Sequence, residues 1–138
     1  VIYLVFPHVP FLVDEYGNSL DATQAENWEN DSIYLGQYKY ATKLMLRMLN
    51  NLIENDPDSI ILLQSDHGAR ATSNDEYFLK KVPLEIMENN LNAVYYRGEN
   101  FEEIIDQSSV NTMRLVLSKL FHLNWSTVEV PQDTYKYK

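Results

Sequence analysis

The sequence predicts an α/β fold in which a mostly parallel sheet is flanked by helices. Three observations carry this prediction. Residues 60–64, Ile-Ile-Leu-Leu-Gln, form an apolar run bounded by Asp56-Pro57-Asp58 and Gly68, the pattern of a strand covered on both faces. A long amphipathic helix pattern runs straight into that strand, as one arm of a βαβ unit would, which favours parallel pairing. Two further runs rich in β-formers, residues 1–6 and 91–96, supply neighbouring strands.

Composition sets the frame for these elements. The 138 residues suit a single domain, and 45% hydrophobic content makes a packed core feasible. The net charge of −9 argues against nucleic acid and anionic membrane surfaces as partners and is compatible with divalent cations. No apolar run reaches the 18 or so residues that a membrane span needs. With no cysteine, disulfides and thiolate metal sites are excluded. The opening directly on a buried strand leads us to expect a fragment of something longer.

The elements follow in order. The first strand runs into Pro7-His8-Val9-Pro10-Phe11, where two prolines impose a non-helical, extended loop. His8 is thereby held at a strand end; a histidine bonded to backbone is the plainer reading of it. Residues 12–17 lead into a turn broken by Gly17-Asn18. Residues 19–31 are polar and read as a surface loop, with Trp28 pinning it to the core. Asp31 or Ser32 caps the long helix. Its stripe, Tyr34, Tyr38, Ala41, Met45, Met48 and Leu52, steps by four and three residues along one face. Asp56-Pro57 stops it.

The strand at 60–64 ends in Ser65-Asp66-His67-Gly68. In open α/β sheets, ligands sit beyond the carboxyl ends of strands. Asp66 and His67 offer an oxygen and an imidazole nitrogen to a divalent metal, and Gly68 permits a sharp turn to the rim. Solvation or helix capping is the simpler account of such a pair. Two ligands also fall short of the three or four that zinc sites use. Arg70 follows in a polar segment; it suits bidentate grip of a phosphate or sulfate, or else is a solvated loop arginine. Residues 77–90 hold a short helix or irregular segment around Pro83. The strand at 91–96 ends at Arg97-Gly98, and residues 101–105 make one helical turn. Ser108 or Ser109 caps a second amphipathic helix with stripe Val110, Met113, Leu117, Leu120 and Phe121; His122 closes it, favourably placed for the helix dipole. From Asn124 the chain reads as a surface tail.

The order strand, Pro-His8-x-Pro-Phe, Trp-bearing loop, long helix beginning near Tyr-x-Gly-Gln-Tyr, strand, Ser-Asp66-His67-Gly resembles the carboxyl-terminal half of the alkaline phosphatase superfamily. It is most similar to the sulfatase and lipoteichoic-acid-synthase-like branch of bacterial membrane-anchored proteins. Leu91-Asn92-Ala93-Val94-Tyr95-Tyr96 and Ser109-Val110-Asn111-Thr112-Met113-Arg114 resemble the end of that branch's domain, so the likeness spans nearly the whole chain.

The resemblance implies a partial α/β/α sandwich of the alkaline-phosphatase kind, with residues 1–138 as one domain cut from a larger catalytic domain. It implies that Asp66 and His67 ligate a catalytic divalent metal (zinc, manganese, magnesium or calcium). It further implies that His8 contacts the phosphoryl or sulfuryl group or the leaving oxygen. Such a protein is a metal-dependent hydrolase or phosphotransferase acting on sulfate or phosphate esters, an envelope glycan or lipid head group among them. It stands outside the cytoplasm on a membrane-anchored parent. The family's nucleophile, a Thr, Ser or modified Cys, lies in an amino-terminal half that this chain does not carry. Thr23 and Thr72 lack matching context, so no catalytic residue is assigned and the chain alone is expected to be inactive. The alternative is a catalytically inactive domain of the same fold with a binding or structural role. Asp66, His67 and His8 are expected on one edge of the sheet.

Overall fold

The structure, a computed structural model, describes residues 6–27, 30–68 and 89–129. The chain divides into two compact units, Val1–Pro57 with His67–Asn89, and Asp58–Asp66 with Asn90–Lys138.

In the first unit the non-helical loop after Phe6 is present, with the Phe6–Pro7 and Val9–Pro10 peptide bonds cis. Phe6 itself lies in a turn, and residues 1–5 of the expected first strand fall outside the described residues. Val13 and Ser19 form an antiparallel bridge around the expected turn. Gly17 sits there at φ 88, a conformation that glycine adopts without a Cβ clash. Asp14 organises the turn: its carboxylate accepts from the Tyr16 and Asn18 amides at 2.8 and 2.9 Å and from Asn18 Nδ2 at 2.8 Å.

The segment expected as a plain surface loop contains a short helix, α1 (Ala22–Ala25). It forms because Asp21 and Gln24 make a reciprocal capping box, each side chain bonding the other's backbone N–H. Thr23 is therefore helical, not in a loop. Trp28 lies outside the described residues.

The long helix, α2 (Asp31–Asn55), has the expected length and stops before Asp56-Pro57. Its cap is Asn30, one residue earlier than expected, whose side chain accepts from the Ser32 and Ile33 amides. The buried face also differs. Tyr38 and Leu52 of the expected stripe are exposed, whereas Gln37 is fully buried, with Ile33, Tyr40 and Leu44 half-buried about it. Tyr34, Ala41, Met45 and Met48 of the expected stripe are half-buried; the inward face is broadened toward Gln37, a polar side chain that meets the backbone of the 8–13 loop.

The second unit holds β1 (Ile61–Gln64), β2 (Asn92–Tyr95), a 3₁₀ turn (Glu102–Ile104) and α3 (Ser109–Phe121). The sheet overturns the expected mostly parallel, helix-flanked architecture. Among the described residues it has two strands, and they pair antiparallel, Ile61 opposite Tyr95 and Gln64 opposite Asn92. A helix leading into β1 says nothing about which strand pairs with β1; here the partner is the later run, joined by Gln64 Nε2 donating to Asn92 Oδ1 at 3.0 Å. Nor is β1 covered on both faces: its residues are half-buried, and Gln64 is exposed.

Phe101, Ile104 and Val116 form the core of this unit, with Leu62, Val94, Tyr96, Leu115 and Leu120 packed against them. Ser108 caps α3 as expected. The buried side of α3 is Asn111, Thr112 and Val116, while Val110, Met113 and Phe121 of the expected stripe are exposed. Polar bonds again explain the offset. Asn92 Nδ2 donates to Thr112 Oγ1 at 2.6 Å and to the Gln107 carbonyl at 3.2 Å. The segment after α3 folds back on it through Asn111, which pairs with both backbone groups of Val128, and Arg114, which donates to the Ser126 carbonyl. Along Ser-Val-Asn-Thr-Met-Arg, three side chains thus tie α3 to β2 and to the returning chain.

Candidate functional site

His8 and His67 share one local geometry. Each sits in a short irregular segment and directs Nδ1 at the carbonyl oxygen of the next residue, His8 to Val9 at 2.6 Å and His67 to Gly68 at 2.7 Å. A carbonyl oxygen only accepts, so each Nδ1 carries the proton and donates. The acceptor lone pair of each neutral ring is thereby assigned to Nε2. A backbone contact at one ring nitrogen fixes the orientation of the imidazole. His8 is exposed and His67 half-buried.

Asp66 follows directly on the carboxyl end of β1 and is exposed. Antiparallel pairing changes what surrounds it. The rim beyond Gln64 is continued by the start of the β2 segment. Ser65 N donates to the Leu91 carbonyl at 2.9 Å, Leu91 N donates to Ser65 Oγ at 2.7 Å, and Asn90 Nδ2 donates to the Asp66 carbonyl at 3.3 Å. The backbone at Asp66 is therefore held by a clasp of Ser65, Asn90 and Leu91, in place of the neighbouring parallel strand that the rim argument assumed.

Asp66 belongs to the second unit, and His8 and His67 to the first. Among the described residues no group of three or more His, Asp or Glu side chains gathers closely enough to hold a metal ion. Asp66 and His67 carry a carboxylate and an imidazole, donor types that divalent ions accept. The other positions of a divalent shell would have to be filled by further ligands. Arg70 and Thr72 lie outside the described residues.

The residue that sequence reasoning missed is Gln37. Its Oε1 accepts from the Leu12 amide at 2.6 Å and the Val13 amide at 3.3 Å, and its Nε2 donates to the His8 carbonyl at 3.0 Å. A signal was available: a lone glutamine between Tyr34 and Ala41 on an otherwise apolar helix face. Nearby, a groove of about 400 Å³ runs between the Asp14–Tyr16 turn and the first turns of α2. Two of its charged groups, Glu15 and Lys39, pair with each other at 3.0 Å. The lysine bond and charge hold the Glu15 carboxyl below its ordinary range.

In comparison with known proteins, no family model, no curated protein and no solved structure matches this chain.

Proposed function

We propose that this chain contributes the carboxyl-terminal part of a metal-dependent hydrolase or phosphotransferase acting on sulfate or phosphate esters. Asp66 and His67 serve as two of the metal ligands, and His8 as a contact to the ester. The observation that carries the reading is the shared imidazole geometry. Both histidines singled out by the resemblance have Nδ1 held by a backbone carbonyl, which orients each ring.

A bound divalent ion would polarise the ester oxygen and lower the pKa of a hydroxyl nucleophile. In this chain, Asp66 would supply charge to the ion and His67 Nε2 a neutral donor. His8 would contact the phosphoryl or sulfuryl group or the leaving oxygen. The nucleophile and remaining acidic ligands belong, on this reading, to residues outside the 138. The chain by itself then binds metal weakly and turns over no ester.

Titration of the full chain with Mn²⁺ tests this, followed as paramagnetic broadening of assigned NMR resonances. Broadening centred on Asp66 and His67, reduced by Asp66→Asn and by His67→Ala, is the expected result. Broadening spread over the acidic surface and indifferent to both substitutions would refute the ligand assignment. Turnover of an aryl phosphate or aryl sulfate by the chain alone would refute the division of the active site.

A further inference from the structure

We propose that Gln37 is a positioning residue for His8: its buried side-chain amide fixes the backbone of the 8–13 loop, and so the tautomer and direction of the His8 imidazole.

Gln37 is a polar side chain with 0% exposure in the middle of a 25-residue helix. A buried amide costs free energy unless its hydrogen bonds are made, so such a residue needs a structural reason. The reason lies in the loop. Pro7 and Pro10 have no N–H to donate, and Leu12 and Val13 direct their amides at a side chain rather than at a strand. Gln37 supplies an acceptor to both of these amides and a donor to the His8 carbonyl. It thus spans the loop from His8 to Val13, and three of its four hydrogen-bonding positions are filled within that span.

The connection to the imidazole is one residue long. The His8 carbonyl is held by Gln37, and the next carbonyl, that of Val9, accepts from His8 Nδ1 at 2.6 Å. Fixing the peptide between them fixes where the Val9 oxygen points, and the ring follows it. With the peptide released, Nδ1 loses its fixed acceptor. The ring then relaxes toward the Nε2–H form common in free histidine, the form without an acceptor lone pair at Nε2. The charged side chain at Glu15 pairs with Lys39 and makes no bond to this amide.

The consequence for chemistry rests on the proposed role of His8 toward an ester; the positioning itself does not. The test therefore uses no substrate and no metal. Long-range ¹H–¹⁵N correlation spectra of the full chain, taken at about pH 8.5, report the tautomer directly. Native protein should show His8 with the proton on Nδ1. Gln37→Met keeps the length and removes every bond; it should move His8 toward the Nε2–H form while His122 stays unchanged. Gln37→Glu keeps the acceptor for Leu12 and Val13 but cannot donate when ionised. It should release His8 while those two amides keep their protection from exchange.

A folded Gln37→Met protein whose His8 retains the Nδ1–H form would overturn the proposal. If both variants unfold, the native chain decides. The Gln37 Nε2 protons should exchange at least about 10-fold more slowly than those of the exposed Gln24. Equal rates would refute the buried clamp. A failure of ester chemistry or metal binding would leave these spectra untouched, so the two readings fail separately.

Discussion

Thr112→Val is the sharpest perturbation of the second unit, because it changes one atom's chemistry and almost nothing of shape. Thr112 is fully buried on α3, and its Oγ1 accepts from Asn92 Nδ2 at 2.6 Å. Asn92 in turn donates to the Gln107 carbonyl at 3.2 Å and accepts from Gln64 Nε2 at 3.0 Å. The single Asn92 side chain therefore joins β1, β2 and the start of α3. Removing the hydroxyl leaves one Asn92 N–H facing a methyl group, and an unsatisfied buried donor costs about 1–3 kcal/mol. Burying a methyl group in place of the hydroxyl returns at most about 0.8 kcal/mol. The net expectation is a loss of about 0.2–2.2 kcal/mol, read as a lower urea midpoint at unchanged slope. A double-mutant cycle with Asn92→Ala should show coupling above about 0.5 kcal/mol. A Thr112→Val protein as stable as the native one, with no coupling, would show that the core is held by its apolar residues alone and refute the reasoning.

Two further outcomes follow from the same geometry. His122 closes α3 at φ 52, ψ 38, a left-handed conformation that costs a non-glycine residue about 1–2 kcal/mol, so His122→Gly should raise the melting temperature by about 3 °C. The Asp14 carboxyl is held below its ordinary value of 3.8, chiefly by the Asn18 side chain and then by the turn's amides. A carboxyl lowered in the folded state contributes stability that is present above its unfolded pKa and lost as pH falls through the folded one. Asp14→Asn should therefore flatten the acid limb of the stability curve below about pH 4 and leave the neutral region's slope unchanged. An unaltered acid limb in a pH series of urea midpoints would exclude a role for this turn.

Local chemistry made much of the chain legible. Asp56-Pro57 ends α2 where proline geometry requires. Gly17 turns the chain, Ser108 caps α3, and the run at 91–96 is a strand. α1 was expected as loop, although the Asp21-x-x-Gln24 spacing of its capping box is a local signal for it. Which side chains sit deepest in each helix was not legible, because apolar periodicity ranks only hydrophobic burial. In α2 and α3 the deepest side chains include Gln37, Asn111 and Thr112, placed there by partners distant in sequence.

The sheet shows the same division. The apolar run at 60–64 and the β-formers at 91–96 determine that strands form there, since extended backbone and alternating burial are properties of a short stretch. Their relative direction is a property of a pair. It was decided by the contact of Gln64 with Asn92 and of Ser65 with Leu91, across a connection long enough to allow either sense. The candidate site divides likewise. The residue types Asp66, His67 and His8 are chemistry that sequence alone displays. That Nδ1 of each histidine is bound to backbone, and that a buried glutamine 29 residues away holds the His8 carbonyl, emerges only once the chain has folded and its buried polar groups have had to find partners.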